Sequence, residues 1–243
     1  MMDKHFCTCI DTKCADHPTN HSDGCDPCIR KNLGLGEIPY CFWANVSQIT
    51  GKSDYSAQKF ADFVLNAGAE AKNNTRQRLA QVAKTEAQRF FHGRVMKTEH
   101  NIHDIIGHFP GFEIEEADKM WCAAFVYYCC IKAGYAIPIR PKECRSCHLA
   151  GCLAWEEWAI GDKRLTYAAA TSDFVPEAGD IVLFDNVCID HAHDHIGIVI
   201  ENKEASIIVA EGNINNVSGL IEREKDAHIR AYIRMPDDYE YNC

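Results

Sequence analysis

Residues 121–135 read WCAAFVYYCCIKAGY, and this stretch decides the fold. A helix drawn through it is apolar on nearly every side, as a helix buried at the centre of a domain must be. Gly134 stands where a left-handed C-terminal cap is expected, and the helical pattern reaches back to predict one helix over Ile114 to Ala133. Upstream, Ser56 to Phe91 reads as helices, with Phe60, Phe63 and Val64, then Leu79, Val82 and Ala83, at helical spacing and Asn74 or Thr75 as an N-cap. A fourth helical segment is expected over roughly Cys144 to Ile160, carrying Leu149, Leu153, Trp155 and Trp158.

Beyond it the period changes. Asp180 to Phe184, Ile196 to Glu201, Ser206 to Ala210 and Ile229 to Arg234 are short, rich in Ile and Val, and separated by turn residues such as Pro176 to Gly179. They read as successive strands of an antiparallel sheet. Helices first and strands second predict an α+β domain with a helix packed on one face of a sheet.

The chain has 243 residues, 47% of them hydrophobic and 25% charged, a composition that excludes disordered and fibrous classes. Net charge is −10, with the acid excess concentrated in residues 111–243, which argues against a nucleic-acid groove built from clustered Lys and Arg. No apolar run reaches the length of about 18 residues that a bilayer span needs, so no membrane partner is expected. The opening residues MMDKHFCTCIDTKCADH lack the apolar core of a secretory peptide, making the cytosol the default location. Release by lysis or a non-classical secretion route would be needed to act outside the cell.

Among the cysteines, Cys122 is set apart by context. It lies at or near the start of the apolar helix, after the charged run Glu115-Glu116-Ala117-Asp118-Lys119, where free N–H groups and the helix dipole stabilise a thiolate. Cys129 and Cys130, deeper in the helix, read as core. A thiolate nucleophile needs an imidazole to share its proton and a third group to orient the ring. His195 begins the alternation HIGIVIE, and the strand SIIVA delivers Glu211 and, two residues later on the same side, Asn213.

The tract His191-Ala-His193-Asp194-His195 is one residue short of the HxHxDH pattern of metallo-hydrolases. A strand carrying all three histidines on one face could still bind zinc. The simpler reading leaves His191 and His193 as solvated loop residues. A CxxC, Cys144-Arg-Ser-Cys147, with His148 and Cys152 beside it, reads as a helix face rather than a metal site.

Together these segments resemble the CHAP domains, cysteine- and histidine-dependent amidohydrolases and peptidases of the papain-like superclass. The resemblance covers about Leu79 to Pro236 and rests on WCAAFVYYCCIKAGY, PEAGDIVLFD, DHIGIVIE, and EGNINN followed by the closing strand IRAYIRM, in that order. It implies a papain-like α+β fold, Cys122 as nucleophile, His195 as general base, Glu211 orienting His195, Asn213 adding a polar contact, and no cofactor required for catalysis. Where some members carry Gln before the cysteine this chain has Trp121, so the Cys122 backbone N–H is the one oxyanion donor expected.

The leader carries Cys, His, Asp, Gly and Pro without hydrophobic period, spaced C-x-C-x4-C-x2-H-x7-C-x2-C from Cys7 through Cys9, Cys14, His17 and Cys25 to Cys28, with Cys41 following after GEIPY. Soft ligands at this density predict a structural zinc site, metal-ordered because large apolar side chains are too few to form a core. Three stretches are expected: a cysteine-rich zinc-binding module over 1–45, a helical lead-in over 46–110 whose second half joins the catalytic domain, and a CHAP-like core over 111–243. The family implies peptidoglycan peptides or cross-bridges as substrate. The alternatives are a cytosolic papain-like protease acting on protein or peptide, and a zinc-stabilised binding or adaptor protein with an inactive domain. Intact Cys122, His195 and Glu211 speak against the last.

Overall fold

The computed structural model describes residues 9, 11–46, 54–72, 74–95 and 99–242. The chain divides into two compact units, Met1–Asn73 and Asn74–Cys243. The boundary falls inside the stretch expected as a helical lead-in. Among the described residues, no helix is long and apolar enough to cross a membrane.

The first unit holds α1 (Asp26–Gly34), α2 (Tyr40–Val46) and α3 (Ala57–Lys72). Contrary to expectation, it contains an apolar centre. Trp43 on α2 is fully buried, with ring centroids of Tyr55, Phe60 and Phe63 at 5.8, 5.1 and 5.2 Å, and its Nε1 donates to the Ile38 carbonyl at 3.1 Å. One indole surrounded by aromatic rings supplies the burial that the aperiodic leader lacks. The loop before α1 is tied by ion pairing of Lys31 to Asp16 at 3.0 Å and by the Asn20 amide, which donates to the carbonyls of Thr12 and Cys14.

The second unit opens with α4 (Thr75–Ala87), preceded by Asn74 in the N-cap position, and continues with the short α5 (His103–Ile106) and α6 (Ile114–Ala117), then α7 (Cys122–Ala133) and α8 (Cys152–Gly161). The single helix expected over Ile114 to Ala133 is two helices. The chain leaves helical geometry at Asp118, passes through Lys119 at φ 65°, and restarts at Cys122. Gly134 closes α7 at φ 97°, the left-handed cap that a residue without Cβ adopts freely. The helix expected from Cys144 starts later, at Cys152. Cys144 and Cys147 therefore lie in the turns before it and share no helix face. Cys144 is buried, its thiol donating to the Ala154 carbonyl at 3.3 Å.

Six strands form one antiparallel sheet: β1 (Thr166–Ala169), β2 (Ile181–Phe184), β3 (His195–Asn202), β4 (Ser206–Ile214), β5 (Val217–Glu224) and β6 (Ile229–Arg234), in spatial order β1-β6-β2-β3-β4-β5. β1 and β5, both at sheet edges, lack the Ile/Val-rich signature that marks the other four. Helix α7 packs against α4, β3 and β4. Ile181, Leu183, Ile196 and Ile198 join the helical core, while Val182, Phe184, Val199 and Val209 belong to a second apolar cluster with Phe174 partly buried against it. Burial on both faces is why β2 is apolar at all four positions. This is the expected α+β architecture, with helices packed on an antiparallel sheet.

Gly212 shows how closely β4 approaches α7. A Cβ there would lie 2.6 Å from Phe125 Cβ and 2.8 Å from Trp121 Cζ3, closer than side chains pack, so glycine is required for the strand to reach the helix that carries Cys122.

Candidate active site

The break before α7 makes Cys122 the first residue of that helix, with Trp121 as its N-cap. The β4–β5 turn holds the break in place. Asn216 Oδ1 accepts from Trp121 Nε1 at 3.0 Å and from the Lys119 N–H at 3.3 Å, and Asn216 Nδ2 donates to Asp118 at 2.8 Å. Asn213 Nδ2 donates to the Lys119 carbonyl at 2.8 Å. Asn213, Asn215 and Asn216 all sit at positive φ, at 67°, 49° and 68°, a conformation that asparagine tolerates better than most residues.

This corrects the expected place of Asn213. Alternation along β4 is interrupted between Glu211 and Ile214, so Asn213 does not follow Glu211 onto the histidine; its Nδ2 is spent on the loop before the nucleophile, and its Oδ1 is buried without a hydrogen-bond partner among the described residues.

His195 opens β3 and is fully buried, as is Glu211 on β4. His195 Nε2 lies 2.8 Å from Glu211 Oε2, and because a carboxylate only accepts, Nε2 is the donor. Nδ1 is buried without a hydrogen-bond partner among the described residues. Arg223, on the edge strand β5, donates from Nε to Glu211 Oε1 at 2.8 Å and from its terminal nitrogen to Oε2 at 2.7 Å. Burial alone would raise the Glu211 pKa, but Arg223 first and His195 second hold it below the ordinary carboxylate range. Arg223 is a site residue that sequence reasoning missed. A signal existed in principle, since a buried carboxylate demands a cation.

The Cys122 thiol is held well below its usual pKa, chiefly by a hydrogen bond from Cys152, then by His195 and the Ala123 N–H, against the opposing effect of burial. The two sulfurs are 3.7 Å apart. Cys152 moves the other way, pushed well above the thiol range first by that same contact and then by burial, so of the two thiols Cys122 is the more readily ionised. For His195, burial is the largest influence and pulls downward, yet Cys122, Cys188 and Glu211 together carry its pKa well above the usual value. The opposed shifts of Cys122 and His195 favour proton transfer from the thiol to the imidazole. Cys129 and Cys130 are fully buried, and burial pushes both thiols upward.

The three histidines do not share a strand face. β3 begins at His195, and His191 and His193 lie in the loop before it, His193 at φ 57°, both lining the cleft that holds Cys122. His193 is not solvated as expected: its Nε2 bonds Glu156, a buried carboxylate that also accepts from Arg230 at 2.8 Å and Tyr167 at 2.6 Å. A cleft of about 470 Å3 is lined by Cys122, Cys152, Cys188, His148, Asp194 and Asn213 among others. A second cavity of about 650 Å3 shares Lys119, Cys188, Ile189 and Asn213 with it.

In the leader, Cys7 lies outside the described residues. Cys9, Cys14, Cys25 and Cys28 are half-buried, whereas His17 and Cys41 are buried. His17 Nδ1 is 2.8 Å from Thr19 Oγ1 and accepts the Thr19 N–H at 3.3 Å. Among the described residues, no group of three or more His, Cys, Asp or Glu side chains is gathered to hold a metal ion.

Residues 115–213 match the family model of the CHAP domain, and residues 1–69 match a family described as a domain of unknown function, DUF6485. No curated protein matches the chain.

Proposed function

We propose that this CHAP domain, a fold of the amidohydrolase and peptidase kind, cleaves amide bonds in peptidoglycan peptides or cross-bridges. The observation that carries the chemistry is the chain Arg223–Glu211–His195, with Glu211 and His195 fully buried, which leaves one imidazole nitrogen unspent in a site whose cysteine, at a helix start, has a lowered pKa.

In this reading the Cys122 thiolate attacks the carbonyl carbon, and the developing oxyanion is accepted by the Cys122 backbone N–H at the open N-terminus of α7. His195 delivers the Nδ1 proton to the leaving nitrogen as the C–N bond breaks, giving an amine and a thioester. Water then loses a proton to His195 and attacks the thioester, which releases the acid and restores the thiolate–imidazolium pair. Glu211 keeps the ring in register throughout, and Arg223 keeps Glu211 ionised.

An extended substrate is supported by the two cavities that share the rim residues Lys119, Cys188, Ile189 and Asn213. The choice of wall peptide rests on the family. Purified peptidoglycan incubated with the chain should release new amino groups, and Cys122→Ala should release none. Cleavage of a protein or peptide panel with none of peptidoglycan would replace the substrate with a cytosolic one, and no Cys122-dependent amine from either would overturn the hydrolase reading.

A further inference from the structure

Cys152 is the first residue of α8 as Cys122 is of α7, so two thiols from separate helix starts meet in one cleft. Neither is engaged in a disulfide, their sulfurs are 3.7 Å apart, and they are 5% and 8% exposed. The hydrolytic steps need only one of them. Forming a bond would require the sulfurs to close by about 1.7 Å, to the usual S–S length near 2.05 Å.

We propose that Cys122 and Cys152 form a reversible disulfide when a hydroperoxide enters the cleft, which removes the nucleophile and turns off the site. The Cys122 thiolate attacks one peroxide oxygen, the S–O bond forms as the O–O bond breaks, and the departing oxygen takes a proton to leave as water or an alcohol. The Cys152 sulfur then attacks Cys122, an S–S bond forms, the S–O bond breaks, and the Cys152 proton leaves with the hydroxyl as water. The two thiols lose two electrons and the peroxide gains them. A thiol exchanging with the disulfide reverses the change. Once Cys122 has become an uncharged sulfenic acid, the largest influence raising the Cys152 pKa is gone, which eases loss of the Cys152 proton as its sulfur attacks.

Cys188 and Cys147 line the same cleft and are the rival partners. Cys152 is favoured by its sulfur contact with Cys122. Without a partner, Cys122 would proceed to the sulfinic and sulfonic acids, which thiols do not reverse.

This regulation rests on the hydrolase reading only for its consequence, since the bond itself is read by mass. The full chain, reduced and freed of reductant, is treated with a small excess of hydrogen peroxide, capped with N-ethylmaleimide, digested and mapped. A cross-linked peptide pair carrying Cys122 and Cys152 should form ahead of every other, and dithiothreitol should return iodoacetamide labelling of Cys122 to its starting level. In Cys152→Ser, Cys122 should pass to the sulfinic acid and labelling should stay lost after dithiothreitol. Wild-type protein whose Cys122 over-oxidises without a cross-link, or pairs with Cys188 or Cys147, would overturn the proposal. A chain that forms the bond yet hydrolyses no amide would keep the disulfide and remove the hydrolase.

Discussion

Gly197 faces Glu211 across the β3–β4 ladder, and its missing side chain is what gives the carboxylate room to reach His195. A Cβ at position 197 would stand 2.9 Å from Glu211 Cγ and 2.4 Å from Val209 Cγ1, both on β4. Gly197→Ala should therefore push Glu211 off the imidazole. The expected result is a loss of about 1–3 kcal/mol of stability from overpacking, with Cys122 alkylation losing its low-pH reactivity in the molecules that remain folded. Unchanged reactivity would show that β4 yields without moving the carboxylate.

The opposed pKa shifts of Cys122 and His195 set a pH dependence. An ordinary thiol with a pKa of about 8.5 loses alkylation rate steadily as pH falls below that value. Cys122, lowered chiefly by Cys152 and then by His195, should keep its rate well below that range, and it should label before Cys129, Cys130 or Cys188. His195→Ala should slow labelling at pH 6.5 by about tenfold or more, because the remaining thiolate loses its cation. Mapping after brief, substoichiometric iodoacetamide treatment reads both effects.

Arg223 and Glu211 act on the reaction through His195. Glu211→Ala should reduce turnover by roughly a thousandfold, as loss of the orienting carboxylate does in triads, while Arg223→Gln should cost about ten- to a hundredfold. Arg223→Lys, which keeps the charge but loses the paired donors, should fall between wild type and Arg223→Gln. A structural role alone would lower the amount of folded protein without moving the pH profile of turnover. The expected shift is a Glu211 titration that climbs toward neutral pH when Arg223 is removed, because burial then acts unopposed except by His195.

Glu156 anchors the loop that leads into His195 through His193, Arg230 and Tyr167. Burial is the largest influence and would raise its pKa, yet Arg230, Tyr167 and His193 together hold it at about 2. A carboxylate depressed in the folded state stabilises the protein at pH values above its unfolded pKa of about 4.3, and that contribution drains away as pH falls toward about 2. Glu156→Gln should cost about 3 kcal/mol at neutral pH and flatten the acid-unfolding curve between those limits. His193→Ala should lower stability in the same direction, whereas exposed His191→Ala should change neither stability nor turnover beyond a few-fold.

Zinc in the leader is a proposal carried by spacing alone. Purified protein washed with chelator should retain about one or two zinc ions per chain, in line with four ligands to a site, and deletion of residues 7–28 should remove them. Protein without zinc would leave the aromatic centre around Trp43 to order this unit by itself.

Sequence alone determined what depends on local pattern. The apolar run after Trp121 specifies a buried helix, the β-branched alternations specify β2, β3, β4 and β6, and Gly134 specifies where α7 stops, because each signal is written within a few residues of the structure it causes. Tertiary structure decided where α7 begins, which cation holds Glu211, what Asn213 binds and which thiol meets Cys122. Asn216 fixes the restart of the helix from 95 residues downstream of Trp121, Arg223 arrives on an edge strand that ends in three charged residues, and Cys152 reaches Cys122 from the start of another helix. Such side-chain hydrogen bonds between distant segments leave no periodic trace in the chain. They exist only once the sheet and helices have closed around them, and they lower the pKa of a cysteine at a helix start while raising that of the site's histidine.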